Sequence, residues 1–106
     1  MTLAELYTLL NRAFPNKVAY NAFPVGEAPA MPFICIVCTD TDNFGADNAV
    51  YFKRQRVDIE LYTENKDISS ATALENVLDG AKIFYDATDE YIVDERCFER
   101  RYEIEV

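Results

Sequence analysis

Residues 49–63 read AVYFKRQRVDIELYT, and this stretch decides the fold class. Its second half places apolar side chains at Val57, Ile59 and Leu61, with charged side chains between them. Successive side chains of a strand point to opposite faces of a sheet, so this alternation predicts one long or bent strand with one buried face. The other face is charged and carries Arg54, Arg56, Asp58 and Glu60.

The residues before this strand predict two more strands. Residues 33–39, FICIVCT, are apolar on both faces, which predicts a central strand covered on both sides by the domain or by a partner subunit. Residues 17–21 predict a short strand, and the prolines of residues 22–32 predict an extended loop. Residues 40–48 combine Asp, Asn and Gly and predict a turn-rich loop.

An amphipathic helix is predicted over residues 2–14. Thr2 is its N-cap, Glu5 occupies the capping-box position three residues later, and Pro15 ends the helix. Its apolar stripe recurs at spacings of three and four and is formed by Leu3, Leu6, Leu10 and Phe14.

A second helix is predicted over residues 67–79, with Asp67 as its N-cap and Gly80 as the C′ residue that follows it. Its apolar face is formed by Ala71, Leu74, Val77 and Leu78.

The remaining residues predict further strands. Residues 82–85 and 90–93 predict short strands around an acidic turn, DATD, and residues 97–106 predict a last strand. Most strands follow one another without a helix between them, so we expect a mostly antiparallel sheet with two helices packed on one face. The prediction is a single α+β domain over residues 1–106, in the order α-β-β-β-α-β-β.

The charge balance restricts the classes of partner. The 106 residues hold 19 acidic and 10 basic side chains, a formal net charge of −9. Such a surface repels phosphate backbones and anionic lipid, so neither specific nucleic-acid binding nor membrane binding is expected. The N-terminus lacks the features of a signal peptide, and no apolar run reaches the length of a membrane span. We therefore expect a cytosolic chain with reduced thiols.

Cys35 and Cys38 form a C-x-x-C pattern. They lie inside an apolar strand, where positions three apart point to opposite faces, so the two thiols are expected to diverge. The chain has no His, and only Cys97 remains as a third sulfur ligand. These cysteines are therefore interpreted as small core residues, and no metal or cofactor is expected.

The acidic loop resembles the start of a calcium-binding loop. With Asp40 at position 1, Asp42 fits position 3 and Gly45 fits position 6. Position 5 is Phe44, which has no side-chain oxygen, and position 12 is Tyr51, which cannot supply a bidentate carboxylate. The loop is interpreted as a connection between strands, with weak cation binding as the alternative.

No motif argues for an enzyme, because the chain has neither a His base nor a nucleophile elbow or P-loop.

The basic strip of Lys53, Arg54 and Arg56 has two interpretations: cross-strand pairing with acids, or contact with an acidic patch on an adjacent copy. An aromatic side chain in a polar loop, such as that of Phe44, either packs beneath the loop or contacts a partner. The candidate subunit interface comprises Phe44, Tyr51, Phe52, Lys53, Arg54 and Arg56.

Two sequence segments carry a family resemblance: DNFGADNAVY at residues 42–51 and IELYTENKD at residues 59–67. Together with the order of elements, they resemble small tail-completion proteins (tail-terminator or head–tail joining proteins) of long-tailed phages and prophages of Gram-positive bacteria. The resemblance covers nearly the whole chain and carries no catalytic residue.

The resemblance implies a structural, homo-oligomeric ring, a hexamer, at the head–tail junction. Its implied partners are tail-tube and head-connector proteins, and its implied locations are the host cytoplasm during assembly and then the virion. Two alternatives remain: a head-side adaptor or stopper of the same junction, and a small cation-binding domain that uses the Asp40–Asp47 loop.

Overall fold

The computed structural model of the protein describes residues 1–46 and 48–106, and for Phe44, Ala46, Val50, Tyr51 and Phe52 it describes the backbone alone. The elements over these residues are α1 (Leu3–Ala13), β1 (Val18–Tyr20), β2 (Phe33–Thr41), β3 (Phe44–Ala46), β4 (Ala49–Phe52), β5 (Gln55–Thr63), α2 (Ile68–Gly80), β6 (Asp86–Ile92) and β7 (Cys97–Glu105).

Five of these strands form one mixed sheet in the order β1-β2-β5-β7-β6. The β1–β2 pair is parallel and the other three pairs are antiparallel. The α+β class and the order α-β-β-β-α-β-β are thereby confirmed. The structure adds the β3–β4 hairpin, a separate two-stranded sheet between β2 and β5, in a region where the sequence predicted part of a loop and the start of a long strand.

The alternation in β5 is confirmed. Val57, Ile59 and Leu61 are at most 1% exposed. Ile59 lies opposite Ile36 of β2 on one side and Tyr102 of β7 on the other, at the centre of the sheet. Both helices pack on this face, so the fold buries one side of the sheet. The helices contribute Leu6, Leu10, Leu74 and Leu78, all fully buried.

The predicted helix starts are confirmed. The Thr2 hydroxyl accepts a hydrogen bond from the Glu5 backbone N–H at 3.1 Å, and the Asp67 carboxylate accepts one from the Ser70 N–H at 3.0 Å. These side chains satisfy backbone donors that the first helical turn leaves free. The second helix end differs from the prediction, because Gly80 is its last residue and the chain turns through Lys82, at φ +58°.

The prediction for residues 82–93 was wrong in detail. The DATD segment is not a turn but the first part of strand β6, and residues 82–85 precede the strand. The reason is pairing with β7, which places Thr88 opposite Arg101 and Asp89 opposite Arg100. These cross-strand contacts outweigh the low strand propensity of Asp.

The β3–β4 hairpin extends beyond the end of the five-stranded sheet. The β2–β5 ladder continues to a hydrogen bond from the Asp42 N–H to the Arg54 carbonyl, whereas β7 reaches its last partner at Gln55. The radius of gyration is 14.7 Å, against about 13 Å for a compact chain of this length. The hairpin is therefore a projecting arm on a compact body.

Candidate functional site: the charged strand face and the projecting hairpin

The two cysteines of the C-x-x-C pattern lie on opposite faces of β2. Cys35, opposite Glu60, is buried, whereas Cys38, opposite Val57, is exposed. The interpretation as core residues is therefore confirmed for Cys35 and Cys97 and is wrong for Cys38. All three cysteines are free thiols, and burial raises the pKa of Cys35 to about 11, so this thiol is protonated at neutral pH. Across residues 1–46 and 48–106, no group of three His, Cys, Asp or Glu side chains converges as a metal site would require.

Two carboxylates of the acidic loop are ion-paired within the chain. Arg56 Nη1 lies 2.9 Å from Asp40 Oδ2, and Arg56 Nη2 lies 3.5 Å from Asp42 Oδ1. The hydrogen bond to Asp40 raises the pKa of Arg56 further. The two carboxylates considered as calcium ligands therefore share one guanidinium group, while Asp47 lies outside the described residues.

The basic strip lies at the base of the hairpin. Arg54 Nη1 is 3.1 Å from Glu105 Oε2, and Arg56 Nε is 3.8 Å from the other oxygen of the same carboxylate. Cross-strand pairing thus holds for both arginines. The Arg54 side chain nevertheless remains 64% exposed, and Lys53 is exposed beside it.

The other three candidate interface residues lie on the hairpin strands, Phe44 on β3 and Tyr51 and Phe52 on β4. Phe44 is paired with Phe52 in the backbone register. Their side chains lie outside the described part of the chain. The assignment of the six residues to a subunit interface stays a prediction.

A wide groove of about 1090 Å³ runs beside the base of the hairpin. Its wall combines Arg54, Arg56 and Glu105 with Lys82 and Phe84. Phe84 is 82% exposed, which is unusual for so large an apolar side chain. This end of the molecule therefore offers both charged and apolar contacts.

Sequence reasoning missed a half-buried charge cluster on the sheet face opposite the helices. Arg101 Nη2 lies 2.8 Å from Glu99 Oε1, and Arg101 Nε lies 3.7 Å from Asp58 and 3.8 Å from Glu60. Only 7% of the Glu99 side chain and 16% of the Glu60 side chain are exposed. One guanidinium group thus faces three carboxylates, and burial raises the pKa of Glu60.

The cluster could be found from sequence only through the strand register. The alternation of β5 and β7 places these side chains on one face, but neither strand shows which acid lies beside which arginine. The register aligns Glu60 with Arg101 and Tyr62 with Glu99. These pairs join residues about 40 positions apart in the chain.

A second polar network joins α2 to the sheet. The buried Tyr102 hydroxyl donates to Glu75 Oε2 at 2.9 Å and accepts from Arg100 Nε at 2.9 Å. Arg100 Nη1 continues the network to Asp89 of β6, also at 2.9 Å. Burial raises the pKa of Tyr102, so its hydroxyl stays protonated and able to donate. The network holds α2 against the sheet.

The comparisons with known proteins establish the fold. No protein-family model and no curated protein matches the sequence. Among solved structures, the chain is similar to a chain of the "virion of native gene transfer agent (GTA) particle", with a TM-score of 0.65 and 14% sequence identity. The match covers 91% of this chain and 81% of that chain. A chain in a virion particle therefore has the same fold.

The helices carry no membrane-spanning segment. Neither α1 nor α2, the helices of the described residues, is long and apolar enough to cross a membrane.

Proposed function

We propose that this protein is a structural subunit of a phage virion, and within it a tail-completion protein that forms a ring, a hexamer, at the head–tail junction. The observation that carries the proposal is the fold, shared over 91% of the chain with a component of a gene transfer agent virion. The sequence segments at residues 42–51 and 59–67 support it further, because they resemble tail-completion proteins.

The projecting hairpin supports self-assembly. A two-stranded ribbon is marginally stable alone in water, and β3 and β4 have no further strand beside them in the described residues. Their sequences, FGA and AVYF, are largely apolar. We place the subunit contact on this hairpin and on the adjacent basic strip of Lys53, Arg54 and Arg56, so that a neighbouring subunit covers the arm.

The proposed activity is binding alone. The ring docks on the tail tube on one side and on the head connector on the other, and no bond is made or broken. Within each of the two networks, polar side chains are ion-paired or hydrogen-bonded to one another. The chain also has no His that could act as a base near neutral pH. The protein acts in the host cytoplasm during assembly and remains in the virion.

Mass measurement in solution tests this function. Native mass spectrometry of the chain, alone and with tail-tube protein, is expected to show a closed oligomer of six copies. Lys53→Glu/Arg54→Glu is expected to abolish it, because the change places repulsive charge at the contact. The matched control Arg12→Glu/Lys66→Glu makes the same charge change at exposed positions away from the hairpin.

A chain that stays monomeric at high concentration and with tail-tube protein present would overturn the ring. Binding to the head connector without binding to the tail tube would instead place the protein on the head side of the junction. Equal loss of the oligomer in both double variants would show that the total charge, and not the basic strip, controls assembly.

A further inference from the structure

Large apolar side chains are exposed at both ends of the long strands β5 and β7. At one end, the exposed Phe84 lies on the wall of the wide groove beside the hairpin. At the other end, a pocket of about 330 Å³ opens between α2 and the strands, and Ile68 on its rim is 72% exposed. We call this the α2 pocket. Leaving such side chains in water costs free energy, so both ends are candidate contact surfaces.

The α2 pocket is suited to an aromatic side chain. Its apolar lining comes from three elements and includes Leu61 of β5, Ala71 of α2 and Phe98 of β7. Phe98 packs edge-on against Tyr91 of β6, with ring centroids 4.8 Å apart, so a ring that entered the pocket would join an aromatic pair. The volume is at the lower end of the range of about 300–1,000 Å³ for ligand sites, which favours a single large side chain as the occupant.

The charges around Phe84 and around the α2 pocket are complementary. The pocket rim carries three carboxylates and two cations, a formal charge of −1, from Asp67, Glu75, Asp89, Lys66 and Arg100. Residues 81–85, which join α2 to β6 and present Phe84, contain the exposed Lys82 as their one charged side chain. A cation therefore accompanies the exposed ring, and a weakly acidic rim surrounds the pocket.

Phe84 and the α2 pocket are too far apart to meet within one chain. Arg56 and Glu105 line the groove and lie opposite each other at one end of the β5–β7 ladder. Thr63 and Phe98 line the pocket and lie opposite each other at the other end. The strand from position 56 to position 63 spans roughly 24 Å, at about 3.4 Å per residue. Only the pocket of another copy can receive the Phe84 ring.

We propose that Phe84 of one copy inserts into the α2 pocket of the adjacent copy. The inserting and receiving surfaces are different, so the contact is heterologous, and repeated contacts of this kind form a ring when the rotation between copies closes. Lys53 and Arg54 line the same groove as Phe84, so the contact continues the one placed on the basic strip. One aromatic side chain buries too little area to hold two copies together, so it acts with the hairpin contact. The inference rests on the proposed ring and identifies the surface of the neighbour that completes it.

Three variants with the same charge change test the contact. Phe84→Glu removes the inserted ring, and Ile68→Glu places a carboxylate on the pocket rim. Val25→Glu is the matched control at a fully exposed loop position. All three positions are exposed in the single chain, so each variant is expected to fold, which circular dichroism checks. Native mass spectrometry over a concentration series, with and without tail-tube protein, measures assembly.

Assembly of Phe84→Glu and of Ile68→Glu is expected to require at least about tenfold more protein than assembly of the unchanged chain, and that of Val25→Glu to stay within about twofold. A mixture of the first two variants tests the head-to-tail geometry. The Ile68→Glu chain keeps an intact Phe84, and the Phe84→Glu chain keeps an intact pocket. One full-strength contact can therefore form between them, and a complex of two chains, one of each variant, is expected.

Normal assembly of Phe84→Glu, with the ring present in the unchanged chain, would overturn the insertion and leave the ring standing. A mixture that stays monomeric would overturn the head-to-tail contact. Equal losses in all three variants would overturn it as well, because net charge would then control assembly. An unchanged chain that is monomeric both alone and with tail-tube protein would overturn the ring and this inference together.

Discussion

At the scale of single residues, Tyr102 is a core side chain that carries a hydrogen-bonded polar group. It is fully buried, and its hydroxyl links Glu75 of α2 to Arg100 of β7. Tyr102→Phe leaves a carboxylate and a guanidinium group without this partner, and the expected loss of unfolding free energy is about 1–3 kcal/mol. Urea unfolding followed by circular dichroism measures it.

The matched control for this substitution is Tyr85→Phe. The Tyr85 hydroxyl also contacts Glu75, but at 3.3 Å and from a partly exposed position. A smaller loss of stability is expected for this variant. Equal losses in the two variants would contradict the role assigned to Tyr102.

Glu60 gives a prediction about pH. Burial raises the pKa of this carboxyl, so the folded state binds the proton more tightly than the unfolded state does. The resulting stabilisation is full below the ordinary glutamate pKa of about 4.3 and is lost as pH rises through the raised folded value. Glu60→Gln keeps an acceptor for the Tyr62 hydroxyl and removes the buried charge.

The stability of Glu60→Gln relative to the unchanged chain is therefore expected to increase from pH 4 to pH 7. Melting temperatures across this range measure the difference, and Glu27→Gln, in an exposed loop, controls for the loss of one negative charge. A difference that shrinks towards pH 7 would show that the ion pair with Arg101 outweighs the cost of burying the carboxylate.

At the scale of elements, sequence patterns correctly predicted the features that depend on residues close together in the chain. The alternation of Val57, Ile59 and Leu61 predicted β5, and the cap residues Thr2 and Asp67 predicted the starts of both helices, because each signal acts within a few residues. The first part of strand β6 was missed, because DATD has the composition of a turn and becomes a strand only through its pairing with β7.

The candidate interface shows the same difference between features set by neighbouring residues and features set by distant ones. The sequence placed Arg54 and Arg56 on the charged face of a strand; the structure places Arg56 in β5, whereas Arg54 lies in the connection just before it. Their partners were not predictable, since Asp40 precedes Arg56 by 16 positions and Glu105 follows Arg54 by 51. The charge cluster around Arg101 has the same cause, because a register between distant strands decides which charges meet.

At the scale of the whole molecule, the hairpin arm can be removed without cutting the five-stranded sheet. The β2–β5 ladder is complete without β3 and β4, because the Asp42 N–H already bonds to the Arg54 carbonyl at 2.9 Å. Replacing residues 43–53 with Asn-Gly closes this ladder with a two-residue hairpin turn. The core face of β5 and both helices lie outside the replaced segment, so the body is expected to fold with unchanged helix content.

Under the ring proposal, this shortened chain is expected to be a folded monomer that no longer assembles, alone or on the tail tube. Native mass spectrometry and circular dichroism on the same sample separate the two properties. A shortened chain that still forms the ring would move the subunit contact from the hairpin to the body. A chain that fails to fold would show that the hairpin packs as part of the core and is not a projecting arm.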